Sequence, residues 1–241
     1  DLGKLKDAEF STRQAIKIIP DYAEAHCNLG SIFKDLGELK EAEFSQRKAI
    51  ELNPNFPEAH SNLGNILKDL GKLQEAEIQY LKAIELNPNF PKAHSNLGNI
   101  LKELGKLEQA ELSICKAIKL SPDFEIAHCN LGLVLKDLGK LKEAELCQLK
   151  AIELNPDYAE AYCNLGNIFK SKGKSKEAEY FHRKAIELKP DLAAAHNNLA
   201  SLLLRQMKLK EGWEHYEWRL KVNDKKNLKW LNLRTEKPEW T

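Results

Sequence analysis

The chain has 241 residues, with 37 Lys and Arg against 36 Asp and Glu, a balance that excludes the strongly basic charge of dedicated nucleic-acid binding proteins. Hydrophobic residues make up 42%, enough to build a core and too much for intrinsic disorder. No run of about 18 apolar residues occurs, so no membrane span is predicted. Five Cys without a CxxC pair indicate neither a disulfide framework nor a zinc site, and a reducing, cytoplasmic setting is expected.

The sequence contains an internal repeat with a period of 34 residues. Three ladders share this period: Gly30, Gly64, Gly98, Gly132 and Gly166; Pro20, Pro54, Pro88, Pro122, Pro156 and Pro190; and Leu29, Leu63, Leu97, Leu131, Leu165 and Leu199. The ladders predict a partial repeat over 1–22, five full repeats over 23–192, a divergent capping repeat over 193–222 and a linker or docking tail over 223–241. Because the chain begins inside a repeat, we expect it to be a fragment of a longer protein.

Within the unit 57–90, apolar residues follow a helical period in two segments. The stripe of the first helix contains Ala59, Leu63, Ile66, Leu67 and Leu70, and that of the second contains Leu73, Ala76, Ile78, Leu81, Ala83, Ile84 and Leu86. Gly71 is predicted to end the first helix in a left-handed conformation. Small residues such as Gly64 and Ala76 let the two helices approach, and larger side chains there would overpack the contact by about 1–3 kcal/mol.

This pattern resembles the tetratricopeptide repeat family. The matching residues are Leu63-Gly64, Ala76, Ala83 and Pro88, with Leu67 at the usual aromatic site and His60 in place of the usual Trp. The resemblance covers roughly residues 1–222. It implies an all-α fold, a right-handed superhelical solenoid of helix-turn-helix repeats in which the first helices line the concave wall.

One position of the first helix is Asn in every unit: Asn28, Asn62, Asn96, Asn130, Asn164 and Asn198. Asn is a poor helix-interior residue, so its recurrence calls for a reason. Its amide has two donors and an acceptor, and can hold both the N–H and the C=O of an extended peptide. Stacked helices would space such amides by about 8–10 Å, roughly three residues of an extended strand. The row resembles the asparagine ladder of the O-linked N-acetylglucosamine transferase repeat arm, which implies peptide binding.

A second, interrupted row one helical turn further on contains Asn65, Asn99 and Asn167. We therefore expect a protein–protein interaction scaffold that binds an extended peptide or partner segment on its concave face through these nine residues. Two alternatives remain for the first row: the amides bond to the neighbouring repeat and lock the stack, or they are shared by recent duplication. Recurring Lys beside Asp or Glu on the same arc, as in Lys34-Asp35 and Lys68-Asp69, predict a solvated face of paired charges.

No catalytic, cofactor or metal site is predicted, and the chain is not expected to be an enzyme, because it contains no nucleophile elbow, P-loop, dinucleotide fingerprint or zinc-protease motif. Five His recur at one helical position, too far apart to share a metal, and are predicted to be semi-buried packing residues: His26, His60, His94, His128 and His196. Cys27, Cys129 and Cys163 are predicted to be small surface-filling residues.

The C-terminal end differs in composition, since all four Trp lie in the last 29 residues: Trp213, Trp218, Trp230 and Trp240. They suggest an aromatic cap on the end of the core. The segments 211–219 and 237–240 resemble the junction between repeats and catalytic domain in bacterial repeat-containing glycosyltransferases. That resemblance implies an alternative function, the acceptor-recognition arm of a transferase whose catalytic domain lies beyond Thr241. Self-association is also predicted, through the helix face that carries Leu2, Leu5, Ala8 and Ala15.

Overall fold

The computed structural model describes residues 2–223, with side chains described as far as Trp218. This part of the chain forms thirteen α-helices and no β-strand. The helices are α1 (Leu2–Ile18), α2 (Ala23–Leu36), α3 (Leu39–Leu52), α4 (Pro57–Asp69), α5 (Leu73–Leu86), α6 (Pro91–Glu103), α7 (Leu107–Leu120), α8 (Glu125–Asp137), α9 (Leu141–Leu154), α10 (Ala159–Ser171), α11 (Ser175–Leu188), α12 (Ala193–Arg205) and α13 (Leu209–Asn223). Among them, none combines the length and the apolar content that crossing a bilayer demands.

The fold is an all-α repeat solenoid, as predicted, and the chain divides into two compact units, Asp1–Leu138 and Gly139–Thr241. In the first unit each first helix packs mainly on the second helix that follows it, α2 on α3, α4 on α5 and α6 on α7. The hairpins then stack, with α3 against α4 and α5 against α6. The second unit repeats the arrangement, with α10 on α11 and α12 on α13.

Glycine ends the first helices through left-handed backbone, which confirms the prediction for Gly71. Its φ is 76°, and its N–H bonds to the Lys68 carbonyl at 2.9 Å while Lys72 N–H reaches Leu67 at 2.8 Å. These bonds satisfy carbonyls that the end of the helix would otherwise leave unpaired. In the divergent repeat Met207 occupies the equivalent position with a φ of 60°, a conformation that strains a residue with a side chain.

Close approach of the two helices in a hairpin depends on the glycine ladder. A Cβ built on Gly64 would lie 2.8 Å from the Tyr80 ring, and one on Gly98 would lie 2.2 Å from Cγ1 of Ile114. Ala76 and Ala83, across the same hairpin from Gly64, are completely buried. The predicted need for small residues at this contact is therefore confirmed.

The prediction that Ile78 and Leu81 lie on the buried side of their helix is wrong. They are 60% and 50% exposed, because Ala76, Tyr80 and Ala83 form the face of α5 that packs into the core. Ile78 belongs to a row of exposed apolar residues at one position of successive second helices: Phe10, Phe44 and Leu112 in the first unit, and Leu146 and Tyr180 in the second.

The two ends of the described chain differ in packing. In α1 no residue is fully buried; Leu2 is exposed, Leu5, Ala8 and Ala15 are half-buried, and self-association through them stays a prediction. In the last hairpin the Trp218 ring stacks on His196, with centroids 4.3 Å apart, whereas Trp213 remains 53% exposed. Trp230 and Trp240, and with them most of the predicted tail, lie outside the described residues.

Candidate functional site

The predicted asparagine row lies on the first helices of both units. In the first unit Asn28 is exposed, Asn62 and Asn96 are half-buried and Asn130 is 8% exposed. In the second unit Asn164 and Asn198 are half-buried. Within each unit, one carboxamide therefore stands at the same helical position of every repeat, between the core and the surface.

Each amide whose partner is resolved donates to the first helix of the preceding repeat. Asn130 Nδ2 donates to Ser95 Oγ at 3.1 Å, and Asn96 Nδ2 donates to Asn65 Oδ1 at 3.2 Å. In other repeats the acceptor is a sulfur atom. Asn62 Nδ2 lies 3.4 Å from Cys27 Sγ, and Asn198 Nδ2 lies 3.5 Å from Cys163 Sγ. The alternative weighed from the sequence, an amide that ties adjacent repeats together, is thus a real contact, with a net stabilisation of about 0.5–1.5 kcal/mol for a bond to oxygen.

The carbonyl end of the same amides behaves differently. The Oδ1 atoms of Asn62, Asn96, Asn130 and Asn198 accept no hydrogen bond from residues 2–218, and none is among the buried polar atoms that lack a partner. Each of these oxygens therefore reaches the surface. Because the Nδ2 end contacts the preceding repeat, the amide is oriented with its acceptor towards the surface.

One member of the second row, Asn65, is anchored from the core. Tyr80, completely buried on α5, donates its hydroxyl to Asn65 Oδ1 at 2.8 Å, and burial raises its pKa, so the hydroxyl stays protonated. Asn99 and Asn167 are half-buried on α6 and α10. Tyr80 and Ser95 also belong to this network and were not predicted from the sequence, although a small residue precedes most Asn of the row, as Ser95 precedes Asn96.

The prediction that Cys27, Cys129 and Cys163 fill the surface is wrong, because all three are buried. They occupy the same repeat position as Ser95, and Cys27 and Cys163 each face the amide of the next repeat. Burial raises the pKa of the Cys27 thiol, while hydrogen bonds from Asn62 and Gln46 oppose that rise. At neutral pH the thiol is therefore protonated and serves as a weak acceptor.

The recurrent histidines are buried or half-buried packing residues, as predicted. Each ring places Nε2 near the carbonyl of the Pro six residues earlier: His60 at 3.2 Å, His94 at 3.0 Å and His196 at 3.0 Å from that oxygen. The bond ties the start of a first helix to the preceding turn. Among the described residues, no group of three His, Cys, Asp or Glu side chains converges as a metal site would require.

The charged arc beside the asparagines is paired, as predicted. Lys34 lies 3.6 Å from Asp69 of the next repeat, and Lys102 lies 3.9 Å from Asp137. Exposed pairs of this kind contribute only about 0–1 kcal/mol each. Their main effect is to neutralise the electrostatic field along this face.

Comparison with known proteins places these repeats in a family. The family model described as "Cilia and flagella-associated protein 70 C-terminal domain" matches residues 5–227. No curated protein matches the chain significantly.

Solved structures share the fold. The APC/C hetero-tetramer Cut9-Hcn1 is 17% identical with a TM-score of 0.82, and the match covers 94% of this chain but only 45% of that one. A tetratricopeptide repeat protein from Parabacteroides merdae is 20% identical over 94% of this chain and 90% of its own, with a TM-score of 0.79. YrrB, described as a TPR protein with an unusual peptide-binding site, is 25% identical over 82% of this chain and 98% of its own, with a TM-score of 0.59.

Proposed function

Because the chain belongs to the family of the cilia and flagella-associated protein 70 C-terminal domain, whose members carry tetratricopeptide repeats, we propose that it is a protein–protein interaction scaffold that holds an extended peptide along its asparagine row. The peptide lies on the first helices of the first unit, beside Asn28, Asn62, Asn96 and Asn130. In the second unit Asn164 and Asn198 offer the same chemistry to their own segment. Asn65, Asn99 and Asn167 flank the row.

The observation that carries the proposal is the set of surface-reaching Oδ1 atoms. An extended peptide exposes N–H groups that lose water on binding and need acceptors in return. An Oδ1 fixed by a bond at the other end of its amide loses little side-chain entropy when it accepts such a donor. One oxygen per repeat therefore supports recognition of peptide backbone with little reading of side chains.

The asparagines have two roles in this proposal. At Asn96 and Asn130, Nδ2 uses one hydrogen for the preceding repeat, and the second hydrogen remains for a peptide carbonyl. At Asn62, Nδ2 contacts both Cys27 Sγ and Ser31 Oγ of the preceding repeat, so its oxygen is the group offered to a peptide. Recurrence of Asn then follows from the need for a donor and an acceptor on one short side chain. The peptide-binding site described for YrrB is a property of that protein; as its identity reaches 25%, it supports the same class of ligand here.

The test separates the two roles of one amide. Peptides are selected on the full chain from a library of random twelve-residue sequences, and their affinities are then measured by fluorescence anisotropy. Asn130→Ala removes both the bond to Ser95 and the oxygen, whereas Ser95→Ala removes only the bond. Both variants should lose similar stability. Asn130→Ala should weaken the selected peptides by roughly tenfold, the loss of one hydrogen bond, whereas Ser95→Ala should weaken them much less, since it only frees the amide to rotate. Equal affinities for the two variants would restrict the row to a structural role.

The alternative function, an acceptor-recognition arm of a glycosyltransferase, stays a prediction. The described part of its junction motif, Glu211 to Trp218, is helical within α13. Lys237–Trp240, the other part, lies outside the described residues. The sequence beyond Thr241 in the parent gene decides between an attached transferase domain and a scaffold alone.

A further inference from the structure

A cavity of about 590 Å³ lies between α1, α2 and α3, on a different face from the asparagine row. Its apolar wall is formed by Ile16, Leu29, Phe33 and Phe44. On α2, Asn28 lies two residues after the cavity-lining His26, about 200° around the helix. The volume is within the range of about 300–1,000 Å³ that is typical of binding pockets.

A short side chain, Ser45, lines the cavity on α3. In two other repeats a longer residue at this position reaches across the hairpin to the first helix: Gln79 bonds to His60 at 2.8 Å, and Phe181 stacks on Phe169 with centroids 5.2 Å apart. The equivalents in two further repeats, Ser113 and Cys147, are short. Phe169 is the equivalent of Phe33, four repeats later in the sequence. In the first hairpin Phe33 thus lacks the aromatic partner that its counterpart has, and the cavity occupies the space next to Ser45.

The rim of the cavity is basic. Arg13, Lys17 and Lys40 line it, against a single carboxylate from Glu41. Arg13 is paired with Glu9 at 2.8 Å and lies over the Phe33 ring at 5.3 Å. Neither Lys17 nor Lys40 forms a salt bridge with a residue that the structure describes.

The positive charge at the position of Lys17 is absent from most repeats, although it recurs at Lys119 on α7. At the repeat position of Lys17, four other second helices carry Glu, which pairs with a Lys three residues before it: Lys48 with Glu51, Lys82 with Glu85, Lys150 with Glu153 and Lys184 with Glu187. In α1 the position three residues before Lys17 is Gln14, so no such pair forms. The ammonium group is left available at the mouth of an apolar cavity.

We infer that this cavity binds an aromatic side chain from an acidic segment of a partner protein. The aromatic ring fills the space beside Ser45 and packs against the apolar wall that Ile16 and Phe44 contribute. Acidic residues on either side of it pair with Lys17 and Lys40 at the rim. The site is separate from the asparagine row, so the chain has two independent surfaces for partner segments.

Two kinds of variant test the site without removing any core residue. Ser45→Phe introduces the side chain found at position 181, which fills the cavity from within. Ser113→Phe is its matched control, since Ser113 occupies the same repeat position on α7, away from the cavity. Lys17→Glu restores the residue typical of other repeats, and Lys119→Glu is the corresponding control on α7.

The probe is the fluorescein-labelled peptide Asp-Glu-Phe-Asp-Glu, measured by anisotropy on the full chain. We expect about 30-fold weaker binding when its Phe is replaced by Ala or when the protein carries Ser45→Phe, the loss typical of a buried aromatic anchor. Lys17→Glu should weaken binding by about tenfold at low salt and by less at high salt. Ser113→Phe and Lys119→Glu should leave the affinity unchanged, with circular dichroism confirming that all variants are folded.

Four outcomes would overturn the inference. They are no binding of the Phe probe at millimolar concentration, equal binding of the Ala probe, equal binding to the Ser45→Phe variant, and tighter binding of a Lys-Lys-Phe-Lys-Lys probe. Loss of binding in Asn130→Ala would place the probe at the asparagine row instead. Because that variant tests the other surface, failure of this site leaves the proposed function standing, and the reverse also holds.

Discussion

The hydroxyl of Tyr80 and the amide of Asn96 meet at one oxygen, Oδ1 of Asn65, at distances of 2.8 Å and 3.2 Å. Tyr80 comes from the second helix of the same repeat and Asn96 from the first helix of the next one. The core of one hairpin is therefore linked to the asparagine row through a single acceptor.

Removing the hydroxyl of Tyr80 should weaken this link. We expect Tyr80→Phe to lower the free energy of unfolding by about 0.5–1.5 kcal/mol, because Asn65 Oδ1 keeps only one of its two donors. Urea denaturation followed by circular dichroism measures the shift. Tyr180→Phe, at an exposed tyrosine on α11, is the control and should have no effect. Identical behaviour of the two variants would show that the link contributes nothing to stability.

A buried histidine should make the second unit sensitive to acid. His182 is completely buried, and neither ring nitrogen has a hydrogen-bond partner. Burial lowers its pKa from 6.5 to about 4, and Lys170 adds a smaller effect in the same direction. Below about pH 6.5 the unfolded chain binds a proton at this histidine, whereas the folded chain binds it only near pH 4. The folded state therefore keeps its full free energy of unfolding above pH 6.5. As the pH falls towards 4, it loses about 3 kcal/mol of that free energy.

His182→Ile tests that pH dependence, since Ile114 is the residue at the same repeat position in another hairpin. The variant should raise the melting temperature at neutral pH, because two unpaired buried polar atoms are removed. It should also flatten the fall in melting temperature between pH 6.5 and pH 4 relative to the native chain. Parallel pH profiles for the two proteins would rule out His182 as the titrating group.

The strained turn of the divergent repeat offers a stabilising substitution. Met207 has a φ of 60°, where five other repeats place glycine at φ between 72° and 82°. Met207→Gly should raise stability by about 1 kcal/mol, since relief of the strain exceeds the added freedom of the unfolded chain. Gly71→Met, the reverse change in a regular repeat, should lower stability by a similar amount. Thermal melts of both variants measure the effect, and a loss of stability in Met207→Gly would contradict it.

Overpacking of one hairpin should be detectable as coupling between two residues. Gly98→Ala would place a Cβ 2.2 Å from Cγ1 of Ile114. We expect a loss of about 1–3 kcal/mol from this substitution alone. In the background of Ile114→Ala the same substitution should be nearly neutral, because the clashing atoms are gone, and a double-mutant cycle reports the difference. Additive losses would indicate that the hairpin relaxes around the new methyl group.

The sequence predicted the parts of the fold that depend on local chemistry. Gly71 marks the end of its helix because few other residues tolerate left-handed backbone. Gly64 marks a close contact because the ladder of glycines repeats where two helices must meet. Period and composition were sufficient for both, since each feature is set by backbone conformation or by the size of one side chain.

Other features depended on neighbours distant in sequence. Helical periodicity alone assigned Ile78 to the core, but the packing of Ala76, Tyr80 and Ala83 turned it outward. The sequence of its own repeat predicted Cys27 at the surface, but packing of the next repeat buries it.

The sequence alone thus determined a stack of helical hairpins and the position of one carboxamide in each, because a strict 34-residue period leaves little choice of local structure. Only the tertiary structure decided that Asn130 donates to Ser95, 35 residues away, while its oxygen reaches the surface. It also placed a cavity beside Ser45, whereas Phe181 at the equivalent position stacks on Phe169. Hydrogen-bond partners and unfilled space depend on which helices pack together, and no single repeat encodes that information.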